Sequence, residues 1–299
     1  MSAAAQAGPD AGGHADRRAR FRLWSRQAAA VARLEIGRNF FGLRALGLYL
    51  LALAPLAIIL LLAWGRLLGL FGDTDALPAA GDLAREYGTF FATLQARLVV
   101  FFVCLLVFTR LFRAEVQQRS LHYYFLTPVR REVLVAGKFA AGLLAAGLIL
   151  ATTTALTFLG HFLPLTKAAG SADYASFLTR GGGLGQLAGY LGVTLLGVLG
   201  YGAVFLASGL YFRNPILPAL AIFGWEWANF LLPPLLKRVS VIHYLQALQP
   251  VPPPEGLLAL LADPPSPWLA VPGIVAMSAV FLVLSALRLR RAEIIYGEE

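Results

Sequence analysis

The sequence predicts an all-α, polytopic membrane protein: six transmembrane helices preceded by an N-terminal interfacial amphipathic helix. Hydrophobic residues make up 58% of the chain and charged residues 14%, against about 45–50% and about 25% in soluble domains. Mean hydropathy is +0.69. The apolar residues fall into blocks bounded by charged or proline-rich stretches, and a helix needs about 20 such residues to cross the hydrocarbon. Net charge is +9, with arginines gathered at block ends rather than on a polar domain. That placement points to the anionic inner leaflet of a membrane and away from nucleic acid, since nothing offers a duplex-binding face.

The elements follow in order. Residues 1–16 are Ala/Gly-rich, read as a disordered cytoplasmic tail, and lack the apolar core of a cleavable signal peptide, so the first span is expected to direct insertion. Over 17–45, Phe21, Trp24, Ala28, Val31 and Leu34 share a face, with Arg18, Arg22, Arg26 and Arg33 away from it. This is a basic amphipathic helix suited to the inner interface, where it would contact membrane lipid. The transmembrane domain, 46–288, holds expected spans at Leu46–Trp64, Phe91–Phe112, Phe139–Leu159, Leu187–Tyr211, Ile216–Leu232 and Leu269–Leu287. Pro233 and Pro234 close the fifth early. The proline-rich stretch 233–267 is expected to form short helical pieces at the outer face, and 289–299 a cytoplasmic tail.

Basic residues orient the bundle. With the N-terminus inside, eighteen Lys and Arg fall on the cytoplasmic side and six on the other, which predicts both termini cytoplasmic. Gly137, Ala141 and Ala145 recur every fourth residue on the third span, a stripe that allows close helix approach, within the chain or between copies. The lone Cys104 lies in an apolar block and reads as a packing residue.

The most informative connection is 112–138, FRAEVQQRSLHYYFLTPVRREVLVAGK. The second span is expected to continue into the cytosol through Glu115, a short amphipathic knuckle to follow from Ser120 to Leu126, and Thr127-Pro128 to start the next helix. Leu121, Tyr124 and Phe125 give the knuckle an apolar face and Arg119, Arg130 and Arg131 a charged rim, which suits docking to a soluble partner.

Glu115, Ser120, Leu121, Pro128, Val129, Arg131, Leu134, Gly137 and Lys138, in that spacing, resemble the cytoplasmic loop of type-2 ABC exporter permeases. The basic N-terminal helix, six spans and a longer final loop extend the resemblance over nearly the whole chain. It departs from that family at Arg130, where Ser is common, and in the Tyr123-Tyr124 pair. The resemblance implies a coupling helix seated in a separate ABC ATPase subunit and a second permease subunit in a homodimer or heterodimer; the Ala/Leu/Arg/Gly-heavy composition points to a bacterium with GC-rich DNA, hence to a bacterial cytoplasmic (inner) membrane. The permease itself would need no cofactor, ATP being bound by the partner.

No G-x-x-x-x-G-K-[ST] phosphate loop occurs, so ATP binding falls to another chain. The rival class is a membrane-embedded hydrolase, for which Ser208 in Leu206-Ala207-Ser208-Gly209 is the nearest nucleophile candidate, without the preceding glycine; His-Glu-x-x-His is absent. A non-transporting regulatory permease is a further alternative. His14, His122, His161 and His243 show no metal-ligand spacing. The outer half lacks the charge rings of a metal-ion pore, leaving lipids, peptides, drugs and polysaccharides open as substrates.

Two charges sit inside apolar blocks, Arg97 and Glu226. Each costs about 2.5–3.5 kcal/mol at a helix centre. They are expected to face the protein interior or a translocation path, where they could pair, or else to reach the outer interface, Arg97 by snorkelling and Glu226 between Trp225 and Trp227.

Overall fold

A computed structural model describes residues 10–39, 45–70, 79–117, 130–169, 171–212, 214–251 and 265–291. Among these the regular structure is entirely helical. Five helices are long and apolar enough to cross a membrane, and the chain is an all-α polytopic membrane protein. Helices satisfy their own backbone N–H and C=O groups, which hydrocarbon demands.

α1 (Asp10–Asn39) precedes α2 (Leu46–Leu67). The next rod is composite: α3 (Ala80–Phe90) runs into a π-helix (Phe91–Val100) and on into α4 (Phe101–Gln117). Then come α5 (Arg131–His161), α6 (Gly183–Tyr211), α7 (Ile216–Trp227), α8 (Val241–Ala247) and α9 (Pro267–Arg290). The composite rod starts eleven residues before the expected span Phe91–Phe112, so the helix reaches back over Ala80–Phe90. Its amphipathic pattern explains the difference, since Leu83, Ala84, Tyr87 and Gly88 are buried on one face.

Cross-links between helix ends order the bundle. The Lys138 ammonium bonds the Leu111 carbonyl, and Arg131 bonds the Leu289 and Arg290 carbonyls. The end of α4, the start of α5 and the end of α9 therefore share one end of the bundle with α1. At the far end, Lys167 bonds the Leu67 carbonyl and His161 meets the Leu83 carbonyl.

The return from α6 to α9 is made in two pieces. α7 has twelve residues, about 18 Å, against about 30 Å of hydrocarbon. A 3-10 turn (Ala228–Leu231) and a short helix (Pro234–Lys237) follow. α8 and the residues after it then climb along α6, with Val241 against Gly200, Leu245 against Gly197 and Pro250 against Gly189. The expected single span Ile216–Leu232 is thus replaced by a break at Trp227 and two short helices. Pro233, which cannot donate an N–H, keeps the chain from continuing as helix past the 3-10 turn.

Small residues set how closely the helices pack. The Phe108 ring of α4 is wedged between α5 and α6: an added Cβ would lie 2.5 Å from it at Gly142 and 2.6 Å at Gly202. At Gly137 an added Cβ would lie 2.9 Å from the Ala28 carbonyl oxygen, so the head of that small-residue stripe packs on α1, within the chain. Toward the far end, Tyr87, Phe91, Phe158, Phe162 and Tyr190 form an aromatic cluster, for example with Tyr87–Tyr190 ring centroids 5.0 Å apart. Each such pair contributes about 0.5–1.5 kcal/mol beyond its area burial.

α1 lies along α5. Trp24, Ala28, Val31, Ala32 and Glu35 face the bundle at helical spacing. Leu34, expected on the apolar face, is 54% exposed, while Glu35 is 2% exposed. The buried face keeps Trp24, Ala28 and Val31 and runs on through Glu35 rather than Leu34, where an acid–base contact, described next, holds it. The side chain of Phe21 lies outside the described residues.

Candidate functional site

The loop between the second and third long helices is described only at its ends. Glu115 falls in the last turns of α4, but its side chain, together with Arg119, Leu121, Tyr124, Phe125 and Pro128, lies outside the described residues. The α5 side is well defined. Lys138 is fully buried; its Nζ is 2.5 Å from Glu35 Oε1 and 2.6 Å from the Leu111 carbonyl oxygen, and lies 5.0 Å from the centre of the Phe112 ring. One ammonium therefore joins α1, α4 and α5.

Arg130 and Arg131 are turned onto the chain itself. The Arg130 guanidinium lies over the Trp24 ring, 4.8 Å from its centre. Arg131 donates to the Leu289 carbonyl at 2.8 Å and the Arg290 carbonyl at 2.5 Å, and Glu132 pairs with Arg290. The last carbonyls of a helix have no partner within it, and a cation there also meets the negative end of the helix dipole. Arg131 thus caps α9. The sequence does carry a signal for Glu35, which reading by apolar spacing misses: it is the sole acid between residues 17 and 44, facing a lysine that must enter an apolar helix.

The second site is the break between α7 and α8. Glu226 is 5% exposed. Its carboxylate accepts from Ser240 Oγ at 2.9 Å, Tyr201 Oη at 3.1 Å, and the backbone N–H groups of Val241 and Ile242, each at 2.9 Å. Those amides open α8 and would otherwise be orphaned in an apolar setting. A carboxylate on them meets the positive end of the helix. Tyr201 lies ten residues before the end of α6, about 15 Å along the helix, so Glu226 sits near mid-depth. Arg97 does not pair with it. The Arg97 guanidinium lies over the Trp227 ring, 5.7 Å from its centre, beside the break and one residue from the acid.

Beside the break lies a cavity of about 850 Å³, walled by Val204, Leu217, Ile222, Val241 and Phe281, with Tyr201, Ser208, Trp225 and Glu226 as polar members. The Trp225 indole N–H is buried without a hydrogen-bond partner.

A third polar group threads the far half, unforeseen from sequence. Gln95 Nε2 donates to Thr154 Oγ1 at 3.2 Å, Thr154 bonds Thr194 at 3.1 Å, and Tyr87 Oη bonds Thr157 Oγ1 at 3.0 Å. Gln95 is fully buried and its Oε1 has no partner. It projects from the π-helix, a geometry that recurs at functional sites. Above it, Arg66 grips Glu86 through two bonds of 2.9 and 2.8 Å, with His161 Nε2 3.6 Å away.

Hydrolytic chemistry finds no support at Ser208: its Oγ donates back to the Val204 carbonyl of its own helix at 2.9 Å. Among the described residues no group of three or more His, Cys, Asp or Glu could hold a metal ion.

Helical architecture and buried polar joints define a multi-pass membrane protein. Residues 94–225 match the family model described as CcmB protein, a stretch that runs from the π-helix to α7 and takes in the loop between α4 and α5. The match covers less than half of the chain. No curated protein matches the chain.

Proposed function

We infer that the chain is the membrane-spanning permease subunit of an ATP-binding cassette exporter, working with a separate ATPase subunit and a second permease subunit in a bacterial inner membrane. The carrying observation is the likeness to CcmB protein over 94–225, a permease family associated with ABC transporters. The matched stretch includes Glu115 to Arg131, the segment whose sequence resembles a coupling loop. On this reading the α1 end is cytoplasmic, and the work is mechanical. ATPase closure displaces the loop, and the bases of α4 and α5 carry the displacement into the bundle.

The break at Glu226 fits that role. Two short helices meeting at mid-depth can change angle more readily than one continuous helix, and discontinuous helices in transporters typically form the substrate and ion sites near the bilayer midplane. The CcmB family is associated with haem export, which makes haem the first cargo to assay for this chain.

The test is capture of the full chain in mild detergent from its native membrane. An ABC ATPase is expected as a stoichiometric partner. Recovery without one, accompanied by hydrolase activity in the isolated chain, would overturn the reading in favour of an embedded enzyme.

A further inference from the structure

We propose that the furrow between the end of α2 and the start of the composite rod binds a phospholipid whose headgroup joins a phosphate to a primary ammonium, as in phosphatidylethanolamine, drawn from the leaflet at the far end of the bundle. The inference is independent of the permease reading.

Three observations carry the proposal. First, the furrow is graded along its length. A pocket of about 520 Å³ lies between the two elements, within the size range of small-molecule sites. Its α2 wall runs from Ile59 to Arg66, about 10 Å of helix, and ends beside the exposed Trp64, a residue suited to a membrane–water boundary. Ile59, Leu62 and Phe90 line the deeper part, while Arg66, Asp82, Arg85 and Glu86 line the mouth. A phospholipid has the same gradient, from charged headgroup to apolar chains.

Second, the mouth holds two cations and two anions, so their charges cancel. Arg66 grips Glu86 through bonds of 2.9 and 2.8 Å, and Arg85 lies 3.2 Å from Asp82. A guanidinium has five N–H donors, which leaves three on Arg66 for a ligand. Arg85 and Asp82 are 68% and 61% exposed and open to the same ligand. A phosphate on the guanidinium groups and an ammonium on the carboxylates satisfy both signs. An anionic headgroup would set its phosphate beside Asp82 and Glu86 with nothing to offer them, and like charges placed together are costly. A quaternary ammonium has no N–H to donate.

Third, the central acid is held in place beforehand. His161, a buried side chain of α5, faces the pocket. Its Nε2 is 3.0 Å from the Leu83 carbonyl oxygen and 3.6 Å from Glu86 Oε2. A carbonyl can only accept, so that nitrogen carries a proton. Arg66 of α2 and His161 of α5 together position the Glu86 carboxylate, which lowers the ordering cost of binding. The Arg66–Glu86 fork alone could be a clasp between α2 and α3. A clasp explains neither the second, exposed pair on the same mouth, which adds little to stability, nor the apolar furrow beneath it.

The experiment is native mass spectrometry of the full chain in detergent, titrated separately with phosphatidylethanolamine, phosphatidylcholine and phosphatidylglycerol of matched chains. The parent is compared with Asp82→Asn and Arg85→Gln, and with Arg180→Gln, an exposed charge at the same end but outside this furrow. Expected for the parent is one tightly held phosphatidylethanolamine, preferred over the other two by about tenfold or more, the scale of one charge-assisted hydrogen bond. Asp82→Asn should lose the preference over phosphatidylcholine, Arg85→Gln should weaken all three lipids, and Arg180→Gln should change nothing. Equal affinities for the three lipids in the parent overturn the proposal, whether or not any variant folds. So does a preference that survives both furrow variants, or one that Arg180→Gln reduces as much as they do. Displacement of the lipid by soluble phosphoethanolamine at equal concentration also overturns it, since the apolar furrow would then contribute nothing.

Discussion

Glu226 shows how an apparently costly residue becomes a structural necessity. A carboxylate in an apolar helix was legible from sequence as an anomaly, but its partners were not, because Ser240 and Tyr201 lie 14 and 25 positions away, outside the helix that carries Glu226. With four donors around it, the acid satisfies the polar groups of the break. Glu226→Ala leaves two buried amides and two hydroxyls without an acceptor and is expected to cost about 2–4 kcal/mol, while Glu226→Gln, which keeps one acceptor oxygen, should cost about 1–2 kcal/mol. Thermal unfolding in detergent reads the order. Arg97→Leu should be milder, since a cation over an indole contributes about 0.5–1 kcal/mol at exposed sites, and removing the charge also removes its desolvation. Equal unfolding midpoints for the parent and Glu226→Ala would mean that the α8 amides find other partners.

At the scale of elements, the Phe108 wedge fixes the spacing of α4, α5 and α6. Without a hydrophobic drive between helices in lipid, association rests on close packing, and a ring filling the space above two glycines is that packing in concentrated form. Gly142→Ala and Gly202→Ala each push a methyl into the ring and should destabilise by about 1–3 kcal/mol. Adding Phe108→Leu to Gly142→Ala is expected to recover part of the loss, which separates overpacking from a loss of backbone freedom. The glycine at 137 was visible as part of a close-packing stripe, and long apolar runs made α2, α4, α5, α6 and α9 readable from composition and length. Three features escaped. The π-helix has no local sequence signature. The break after α7 was announced by Pro233 and Pro234, but Val241–Ala247 reads as a surface piece until its contacts with Gly197 and Gly200 place it beside α6. The place of Glu35 on the buried face of α1 was hidden because apolar spacing favoured Leu34, while the deciding contact, Glu35 with Lys138, spans 103 positions.

For the whole molecule, the decisive question is which end faces the cytosol. Arg131 on the α9 carbonyls and Lys138 on α1 and α4 put the described start and finish of the chain at one end, and the basic excess predicts that this end faces the inside. Single cysteines decide it. Cys104 is fully buried, so the parent should not react with a membrane-impermeant maleimide. Ser25 and Arg180 are exposed at opposite ends. Arg180→Cys should label in intact cells, and Ser25→Cys only in inverted vesicles. The reverse pattern would put the loop between α4 and α5 outside the cell, beyond the reach of any ATP-hydrolysing partner. The same inversion would leave Arg22, Arg26 and Arg33 facing the leaflet that lacks the stronger anionic attraction for basic side chains, so orientation, loop and N-terminal helix stand or fall on one labelling result.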